Sequence, residues 1–574
     1  MRDHLAEYRR LALASGDPWF ILIADTEEAK AETAQGEHRM AEERLLAALD
    51  MGQRQKMEYR CVWIESALVS LYRAMDRLSA AEAHAQAGWE LAKKTGDWQA
   101  ETTFLSHLSG IALARNNISR SQALLDELDW HDPEGCERRR YAHVVRADGY
   151  MRELRYAEAR EEIRKAPLCH QPLTLRAAGI LAHLDRAGMS AEPWEQLRAE
   201  IADLRLHGGL GPGAMAVAVH IEGVLLLEHD RRQGEALLQR AQVMSEFLRA
   251  KDQDARLAYT YSSKELVLAA GQSGEFDRAQ VLLAGAHGLY AAQGCTLGAI
   301  VEGERLLVVA VDAEGRVHGH YEGHRTNPRI DGLGAGQDAL RSSLAGCTEI
   351  DVFPETPVQD LAGVLPIEKA WVFHKVRSVS RPWGKSQARR LVVRSPLLGP
   401  QGDEAPLPPW SRPRKEGETV TYLEGRDATP ERVLAEMPKY TEVVLHVPCV
   451  FQAGEQQLLL SPDRHGKHTL AASEVLRVRL PDVRLVTLTA CTSHPTAGSF
   501  DDPQDLPSAF LSAGVGAVLA AYDATLDAGA AEFFEDVAAR LRAGQTPATA
   551  LRDVRVVWVE KKKKEWVKKV VVYD

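Results

Sequence analysis

The sequence predicts two regions: an α-solenoid over residues 1–297, followed by an α/β domain with a mainly parallel sheet over residues 298–574. Two observations support this division. Only six of the 26 prolines lie before residue 298, in a stretch rich in Ala, Leu, Glu and Arg, which favour helices. Beyond it, β-branched runs such as LLVVAV, EVVLHV and RLVTLTA alternate with helical stretches, a pattern typical of a parallel sheet covered by helices.

Composition and charge exclude several classes of protein. The chain has 574 residues, 45% apolar and 26% charged, as in a globular protein of several folding units. A net charge of -11 argues against direct binding of nucleic acid, which we expect only through a partner. No apolar stretch approaches the ~20 residues that span a bilayer, and the charged start MRDHLAEYRR is unlike a signal peptide. We therefore expect a cytoplasmic protein.

Cysteine and histidine patterns favour neither a metal nor a cofactor. The seven cysteines are scattered and form no CxxC pair, so the sequence indicates neither a disulfide framework nor a zinc ribbon. His318, His320 and His324 in VHGHYEGHR could form a metal cluster, but an edge strand and its turn is the favoured interpretation. DGLGAGQ lacks the Lys and Ser/Thr of a phosphate loop. We expect no bound cofactor.

One phrase recurs in the helical region at intervals of about 40 residues. A bulky or polar residue is followed three positions later by a small one, as in the pairs Leu78/Ala81, Ile118/Ser121, Tyr156/Ala159, Gln233/Ala236 and Phe276/Ala279. The small residue lets paired helices approach closely, as an α-solenoid requires. RELRYAEAREEIRKA and GEFDRAQVLLAGAHGLY resemble degenerate tetratricopeptide repeats. Stacked helix pairs leave a long exposed face, which predicts a protein or peptide partner there; the alternative is a platform that only supports the second region.

Two strand ends are the most informative places in the second region. Ligands of doubly wound sheets gather at the carboxyl ends of strands. One such end is expected at Cys449 and Val450, after EVVLHV, and another at Cys491, after RLVTLTA. The helix DATPERVLAEMPKY, which precedes the first of them, is expected to be capped by Asp427.

The order of these motifs resembles a known family. LHVPC, LLLSP, LTLTACTS, SAFLSAGVGAVLAA and a last helix ending GQTPATALRD closely resemble the CHAT domain, a caspase- and separase-like peptidase domain often fused to tetratricopeptide repeats. The resemblance covers about residues 300–555 and is most specific over 440–552. It implies a cysteine–histidine dyad with Cys491 at the position of the nucleophile. A thiol attacks a carbonyl when a nearby imidazole and backbone N–H groups lower its pKa.

The general base of this dyad does not follow the family pattern. Family members read LHxxxHG, with the second His as base, whereas this sequence reads LHVPCVFQ and has Val450 there. Valine cannot accept a proton, and loss of a positioned base costs on the order of 10²–10⁴ in rate. His446 is a tentative substitute, although four residues of strand would place it roughly 13 Å from the strand end. His465 or His468, and His494, are weaker alternatives.

The sequence therefore predicts a bacterial-type degenerate peptidase that acts as a partner-binding or regulatory scaffold. The alternative is a partner-gated cysteine endopeptidase that cleaves a protein substrate with Cys491 as nucleophile. Asp523 and Asp527 could line a pocket for basic side chains, or cap a helix. The tail VRVVWVEKKKKEWVKKVVVYD is interpreted as a terminal hairpin whose lysines protect a sheet edge, or as a basic patch for an acidic partner, nucleic acid or a membrane.

Overall fold

The computed structural model divides the chain into two compact units, residues 1–265 and residues 266–574. The domain division predicted at residues 297 and 298 stays a prediction. None of the helices in the described part of the chain is long and apolar enough to cross a membrane. The structure describes residues 2–75, 77–115, 117–131, 136–166, 174–189, 193–249, 252–286, 294–323, 340–355, 365–374, 389–394, 419–452, 455–464, 466–489, 505–521 and 529–574.

The first unit is a run of α-helices, which confirms the predicted helical region. Four of the recurring phrases open helices, at Leu78, Ile118 and Tyr156 in this unit and at Phe276 in the second unit. Ala81 and Ala159, the small residues of two of them, are fully buried, as expected for closely packed helix pairs. The helices are α1 Arg2–Ser15, α2 Pro18–Ala34, α3 His38–Arg54, α4 Glu58–Ala74, α5 Leu78–Thr95, α6 Trp98–Ala114, α7 Ile118–His131, α8 Cys136–Arg152, α9 Tyr156–Lys165, α10 Leu175–Arg186, α11 Trp194–His207, α12 Pro212–His229, α13 Arg231–Glu246 and α14 Gln253–Gln272, whose last turns belong to the second unit.

In α13 the prediction that Ala236 is the small residue at the contact between paired helices is wrong. Ala236 is exposed, whereas Gly234 is buried against α12. A methyl group added to Gly234 would lie 2.7 Å from the backbone nitrogen of Leu227. The helix begins earlier than the phrase suggests because the carboxylate of Asp230 caps it, accepting the backbone N–H of Gln233 at 3.1 Å. The close approach of α12 and α13 therefore depends on a glycine.

The second unit is an α/β region. It continues with α15 Phe276–Ala286, which packs on the sheet together with the end of α14 through Leu268, Leu283 and Leu307. The remaining helices are α16 Pro430–Glu436, α17 Ala472–Val475, α18 Leu506–Ser512, α19 Ala530–Arg542 and α20 Pro547–Glu560. The strands are β1 Cys295–Glu302, β2 Arg305–Val311, β3 Val317–Glu322, β4 Glu349–Glu355, β5 Ala370–Phe373, β6 Arg389–Arg394, β7 Thr419–Glu424, β8 Glu442–His446, β9 Cys449–Gln452, β10 Glu455–Leu459, β11 Thr469–Ala471, β12 Leu485–Leu488, β13 Ala517–Ala521 and β14 Val570–Tyr573.

Eleven of these strands form one sheet in the order β3-β2-β1-β4-β5-β14-β13-β12-β8-β6-β7. Seven of its strand pairs are parallel and three are antiparallel, which confirms the predicted fold class. β14 is antiparallel to β13 and parallel to β5, so β4 and β5 run opposite to β8 and β12. Helices α16 to α18 cover one face of the sheet, and α19 and α20 cover the other.

The interpretation of the tail as an edge hairpin is wrong. Its first β-prone run, RVVWVE, lies in helix α20, where Trp558 is 1% exposed. Its second run forms β14, which lies in the middle of the sheet between β5 and β13. Four buried valine and tyrosine side chains in β14 explain this central place, because a strand buried on both faces is a continuous apolar run.

The cap predicted for α16 is also wrong. The hydroxyl of Thr429 accepts the backbone N–H of Arg432 at 3.4 Å and is the N-cap. Asp427 instead forms an ion pair with the Arg432 side chain at 2.5 Å. Pro430 in the first turn places the cap one residue before it, where the chain is extended.

A disulfide joins Cys295, at the start of β1, to Cys347, just before β4. The expectation that no disulfide would form is wrong. β1 and β4 are parallel neighbours, so residues 52 apart in sequence lie with their Cα atoms 5.9 Å apart. Cys136 is disulfide-bonded as well. Disulfides are rare in a reducing cytosol, so these bonds are unexpected in a cytoplasmic protein. The cytoplasmic location stays a prediction.

Candidate functional site

The carboxyl ends of β8 and β12 define the candidate site. The two strands are parallel neighbours, with Leu445 opposite Leu488. Their carboxyl ends therefore meet at the same edge of the sheet, where ligands of such sheets bind. Cys491, the predicted nucleophile, follows β12 by three residues and lies outside the described residues.

His446 is the last residue of β8. The prediction that this strand continues to Cys449 and Val450 is wrong, because the chain leaves the sheet at Val447 and Pro448. Proline has no N–H to contribute to the ladder, which explains why the strand stops there. The separation of roughly 13 Å expected between His446 and the strand end therefore does not exist.

The imidazole of His446 is held against the end of β12. Its Nδ1 lies 2.7 Å from the Oγ1 of Thr489, and the His446 residue is only 4% exposed. Thr489 is fully buried and directly follows β12. The structure thus places an imidazole beside a residue two positions before Cys491, and the position of the thiol itself stays untested.

Val450 lies in a separate small sheet of order β11-β10-β9. It is partly buried and stands opposite Gln457 of β10. Neither side chain can act as a general base at neutral pH. Next to Val450, Cys449 is a free, partly buried thiol.

Of the histidines that are alternatives to His446 as general base, only His468 lies among the described residues. His468 is exposed, in the connection between β10 and β11, and its backbone carbonyl accepts the N–H of Leu460 at 2.7 Å. His465 and His494 lie outside the described residues, as do Asp523 and Asp527. Only His446, among the histidines considered, is described at the carboxyl end of a central strand.

Both ends of the segment that contains Cys491 are anchored. At one end Thr489 contacts His446, as described above. At the other end the side-chain oxygen of buried Gln456, in β10, accepts the backbone N–H of Leu506 at 2.8 Å. Asp505 caps α18 by accepting the N–H of Ser508 at 2.6 Å. Sequence reasoning missed Thr489 and Gln456; the alternation in RLVTLTAC could have suggested Thr489, but nothing in the sequence indicates Gln456.

The VHGHYEGHR segment forms an edge strand, as predicted. His318 and His320 lie in β3, at one edge of the sheet, and His324 lies outside the described residues. His318 Nε2 lies 2.9 Å from the carboxylate of Asp312. No group of three or more metal-binding side chains occurs among the residues that the structure describes, and the glycines of residues 332–336 lie outside them.

Comparison with known proteins identifies the second region. Residues 401–568 match the family model of the CHAT domain. A search of curated proteins finds no significant match. Two crystal structures of the Saccharomyces cerevisiae separase–securin complex are similar to the chain, each with 8% identity and with TM-scores of 0.48 and 0.47. Each match covers 96% of this chain and 53% of the other, so this chain spans about half the length of the protein it matches. The chain carries a CHAT domain at residues 401–568, preceded by a run of helices.

Proposed function

We propose that this chain is a partner-binding or regulatory scaffold built on a peptidase fold that has lost its general base. The observation that carries the proposal is the place of Val450. By resemblance to the family motif, Val450 corresponds to the position of the base, which would put a hydrocarbon in place of the proton acceptor. It lies in β9 opposite Gln457. The loss of such a base lowers a rate by about 10²–10⁴-fold.

The helical unit supplies the binding function in this proposal. Its helices pair through small buried residues, as in helical repeats, which offer an exposed face to a protein or peptide. Several of its large apolar side chains are exposed, among them Trp98, Trp130 and Phe247. Aromatic side chains are enriched in protein interfaces, which supports a protein partner.

A second candidate function is a partner-gated cysteine endopeptidase in which His446 is the base. It is favoured by one observation, the place of His446 at the end of β8. The hydroxyl of Thr489 lies 2.7 Å from Nδ1 and 3.4 Å from the carbonyl oxygen of Leu445. A hydroxyl that donates to this carbonyl accepts a hydrogen bond from Nδ1–H, and Nε2 is then the basic nitrogen. In this reading His446 withdraws the proton of Cys491, whose sulfur attacks the peptide carbonyl.

The reactivity of Cys491 separates the two functions. The rate of its alkylation by iodoacetamide is measured by mass spectrometry on the full chain, with Cys449→Ala as background because Cys449 is also a free thiol. For the scaffold we expect the rate to rise with pH as for an ordinary thiol of pKa about 8.5. Val450→His is expected to raise the rate at neutral pH by about tenfold, since an imidazole lowers a thiol pKa.

Peptide cleavage is measured in parallel, with and without a protein that co-purifies with the full chain. Cleavage that Cys491→Ala and His446→Gln both abolish would establish the peptidase and reject the scaffold. His468→Gln is the matched control, because that histidine is exposed between β10 and β11. No cleavage, together with an unperturbed thiol that His446→Gln leaves unchanged, supports the scaffold.

A further inference from the structure

One edge of the helical unit carries two exposed aromatic rings with an arginine stacked on them. Trp19 is the second residue of α2 and Tyr59 is the second residue of α4, and both are exposed. Their ring planes lie within 9° of parallel, with the ring centroids 6.3 Å apart. The guanidinium carbon of Arg60 lies 3.6 Å from the centroid of the Trp19 ring and 5.9 Å from that of Tyr59. We call these three residues the aromatic-arginine platform.

Stacking determines which part of the Arg60 side chain can meet a ligand. Its Nε is buried without a hydrogen-bond partner, and it is the only nitrogen of this side chain in that state. A guanidinium whose flat face lies on a ring presents its other N–H donors at the rim. Stacking also restricts a long side chain before a ligand arrives, so less conformational entropy is lost on binding. Arg60, which is partly exposed, is therefore a pre-oriented donor beside exposed aromatic surface.

The platform belongs to a longer edge at which the first turns of α2, α4, α6 and α8 follow one another. Glu58, at the start of α4, forms an ion pair with Lys94, in the last turn of α5. Trp98, the first residue of α6, is exposed. The guanidinium carbon of Arg138, in the first turn of α8, lies 5.5 Å from the centroid of the Trp98 ring. A cation paired with an exposed ring thus occurs at two places on this edge.

Positive charge is in excess around the platform. Two basic side chains at the ends of α3 and α5, those of Arg54 and Lys94, are paired with carboxylates. Three others contact no carboxylate among the residues that the structure describes: Lys56, Arg60 and Lys93. The whole chain has a net charge of -11, so this edge differs in sign from the molecule as a whole. A negatively charged partner complements it.

We propose that the aromatic-arginine platform is a docking site for an acidic segment of a protein partner. The carboxylate of an Asp or Glu residue in that segment binds the rim of Arg60, and a neighbouring apolar side chain packs on Trp19 and Tyr59. A guanidinium and a carboxylate form two parallel charge-assisted hydrogen bonds. Trp, Tyr and Arg are also the side chains enriched where the binding energy of protein interfaces is concentrated. This inference rests on the part of the proposed function that assigns a protein partner to the helical unit.

Two features favour a protein over a nucleic acid at this edge. A base stacks on an open aromatic face, whereas the guanidinium of Arg60 already covers one face of Trp19. The carboxylates of Asp17 and Asp97 lie on the same edge, where they accept backbone N–H groups at the starts of α2 and α6. They repel a run of phosphates, but a single carboxylate can bind Arg60 between them.

Binding of short fluorescein-labelled peptides to the full chain tests the platform. In one pool Asp or Glu alternates with Phe or Leu, and in the other Asn or Gln replaces the acidic residues. We expect fluorescence anisotropy to show about tenfold tighter binding of the acidic pool, as one charge-assisted pair provides. Arg60→Met is expected to abolish this preference. Arg39→Met is the matched control and is expected to retain it, because Arg39 is an exposed arginine at the opposite end of α3.

Photo-crosslinking locates the site on the unmodified chain, so it does not depend on the stability of a variant. The acidic pool carries benzoylphenylalanine in place of Phe, and cross-linked fragments of the full chain are identified by mass spectrometry. We expect cross-links within residues 17–20 and 57–60. Cross-links confined to other parts of the chain would overturn the proposal.

The binding measurements can overturn the proposal as well. They do so if both pools bind equally, if Arg60→Met keeps the preference, or if polyglutamate without apolar residues binds as tightly as the acidic pool. Displacement of the acidic pool by a single-stranded oligoribonucleotide at equal ionic strength would assign the edge to nucleic acid instead. None of these readouts involves Cys491, so failure of this site and failure of the proposed function are distinguishable.

Discussion

Two arginines, one in each unit, differ in how their charge is balanced. Arg390 in β6 is 5% exposed and contacts the carboxylates of Glu442 at 2.6 Å and Glu535 at 2.5 Å. Arg542 also contacts both carboxylates. These carboxylates outweigh burial and raise the pKa of Arg390. Arg73, in the helical unit, contacts no carboxylate among the residues that the structure describes, and burial lowers its pKa. The opposite directions of the two pKa shifts follow from whether carboxylates contact the guanidinium that is removed from water.

Two histidines, His220 in the helical unit and His374 in the sheet unit, differ in the same way. In the helical unit, burial lowers the pKa of His220 to about 4, and its Nδ1 lies 3.0 Å from the Ser262 hydroxyl rather than a carboxylate. In the sheet unit, burial also opposes the charge on His374, but Asp351, 2.8 Å away, and Asp574 outweigh it and raise the pKa. The pKa of His220 is thus lowered, and the pKa of His374 is raised.

The largest expected effect is that of Arg390→Met. It removes the cation that contacts both Glu442 and Glu535, and leaves Arg542 to balance two buried carboxylates. Breaking a buried pair in this way costs about 3–5 kcal/mol of unfolding free energy, to be measured by urea denaturation of the full chain. Arg389→Met, at the exposed neighbouring position of the same strand, is the control. Equal losses of unfolding free energy in both variants would show that the ion pairs of Arg390 do not stabilise the fold.

A smaller effect is expected from His220→Gln at acidic pH. The pKa of His220 is lower in the folded state than in the unfolded state, so the unfolded state gains a proton first as pH falls. Stability is therefore lost between about pH 6.5 and about pH 4. Full loss of this contribution amounts to about 3 kcal/mol. We expect His220→Gln to reduce the acid sensitivity of the far-UV circular dichroism of the full chain. His207→Gln, at an exposed site, is the control, and identical acid transitions in all three proteins would refute the neutral state of His220.

The smallest effect is expected from His374→Gln, and its pH dependence has the opposite sign. A raised folded-state pKa stabilises the fold fully below the unfolded pKa, and this contribution disappears as pH rises through the folded pKa. The variant should therefore be less stable than the unmodified chain at mildly acidic pH, by about 1 kcal/mol or less, and equally stable at alkaline pH. Urea denaturation at the two pH values measures this, with His320→Gln in β3 as control. A difference in stability that grows with pH would contradict the raised pKa of His374.

Local sequence signals predicted much of the fold. Helix starts at Leu78, Ile118 and Tyr156 follow from the spacing of small residues, and β2, β8, β12 and β13 coincide with β-branched runs. These signals succeed because each is a property of a few consecutive residues. They failed where packing between distant segments decides, as for Gly234 against α12 and for β14, which reads as an edge but is central.

The candidate site shows the same limit. The motif identified the strand that leads to Cys491, and it predicts a valine, Val450, at the position of the family base, since both are readable in the order of residues. It placed the end of β8 four residues too late, because a proline that stops a ladder is also compatible with an edge strand or a bulge. The contact of His446 with Thr489 could not be predicted, since it joins residues 43 apart.

By itself the sequence determined the two kinds of architecture, the period of the helices and the identity of the side chain at each motif position, because amphipathic periodicity and residue chemistry are local. Only the tertiary structure decided which strands are neighbours, that Cys295 meets Cys347, and that Arg390 is paired with Glu442 and Glu535. Such pairings depend on the distance between atoms far apart along the chain, and on how much water is excluded around them, which no short stretch of residues encodes.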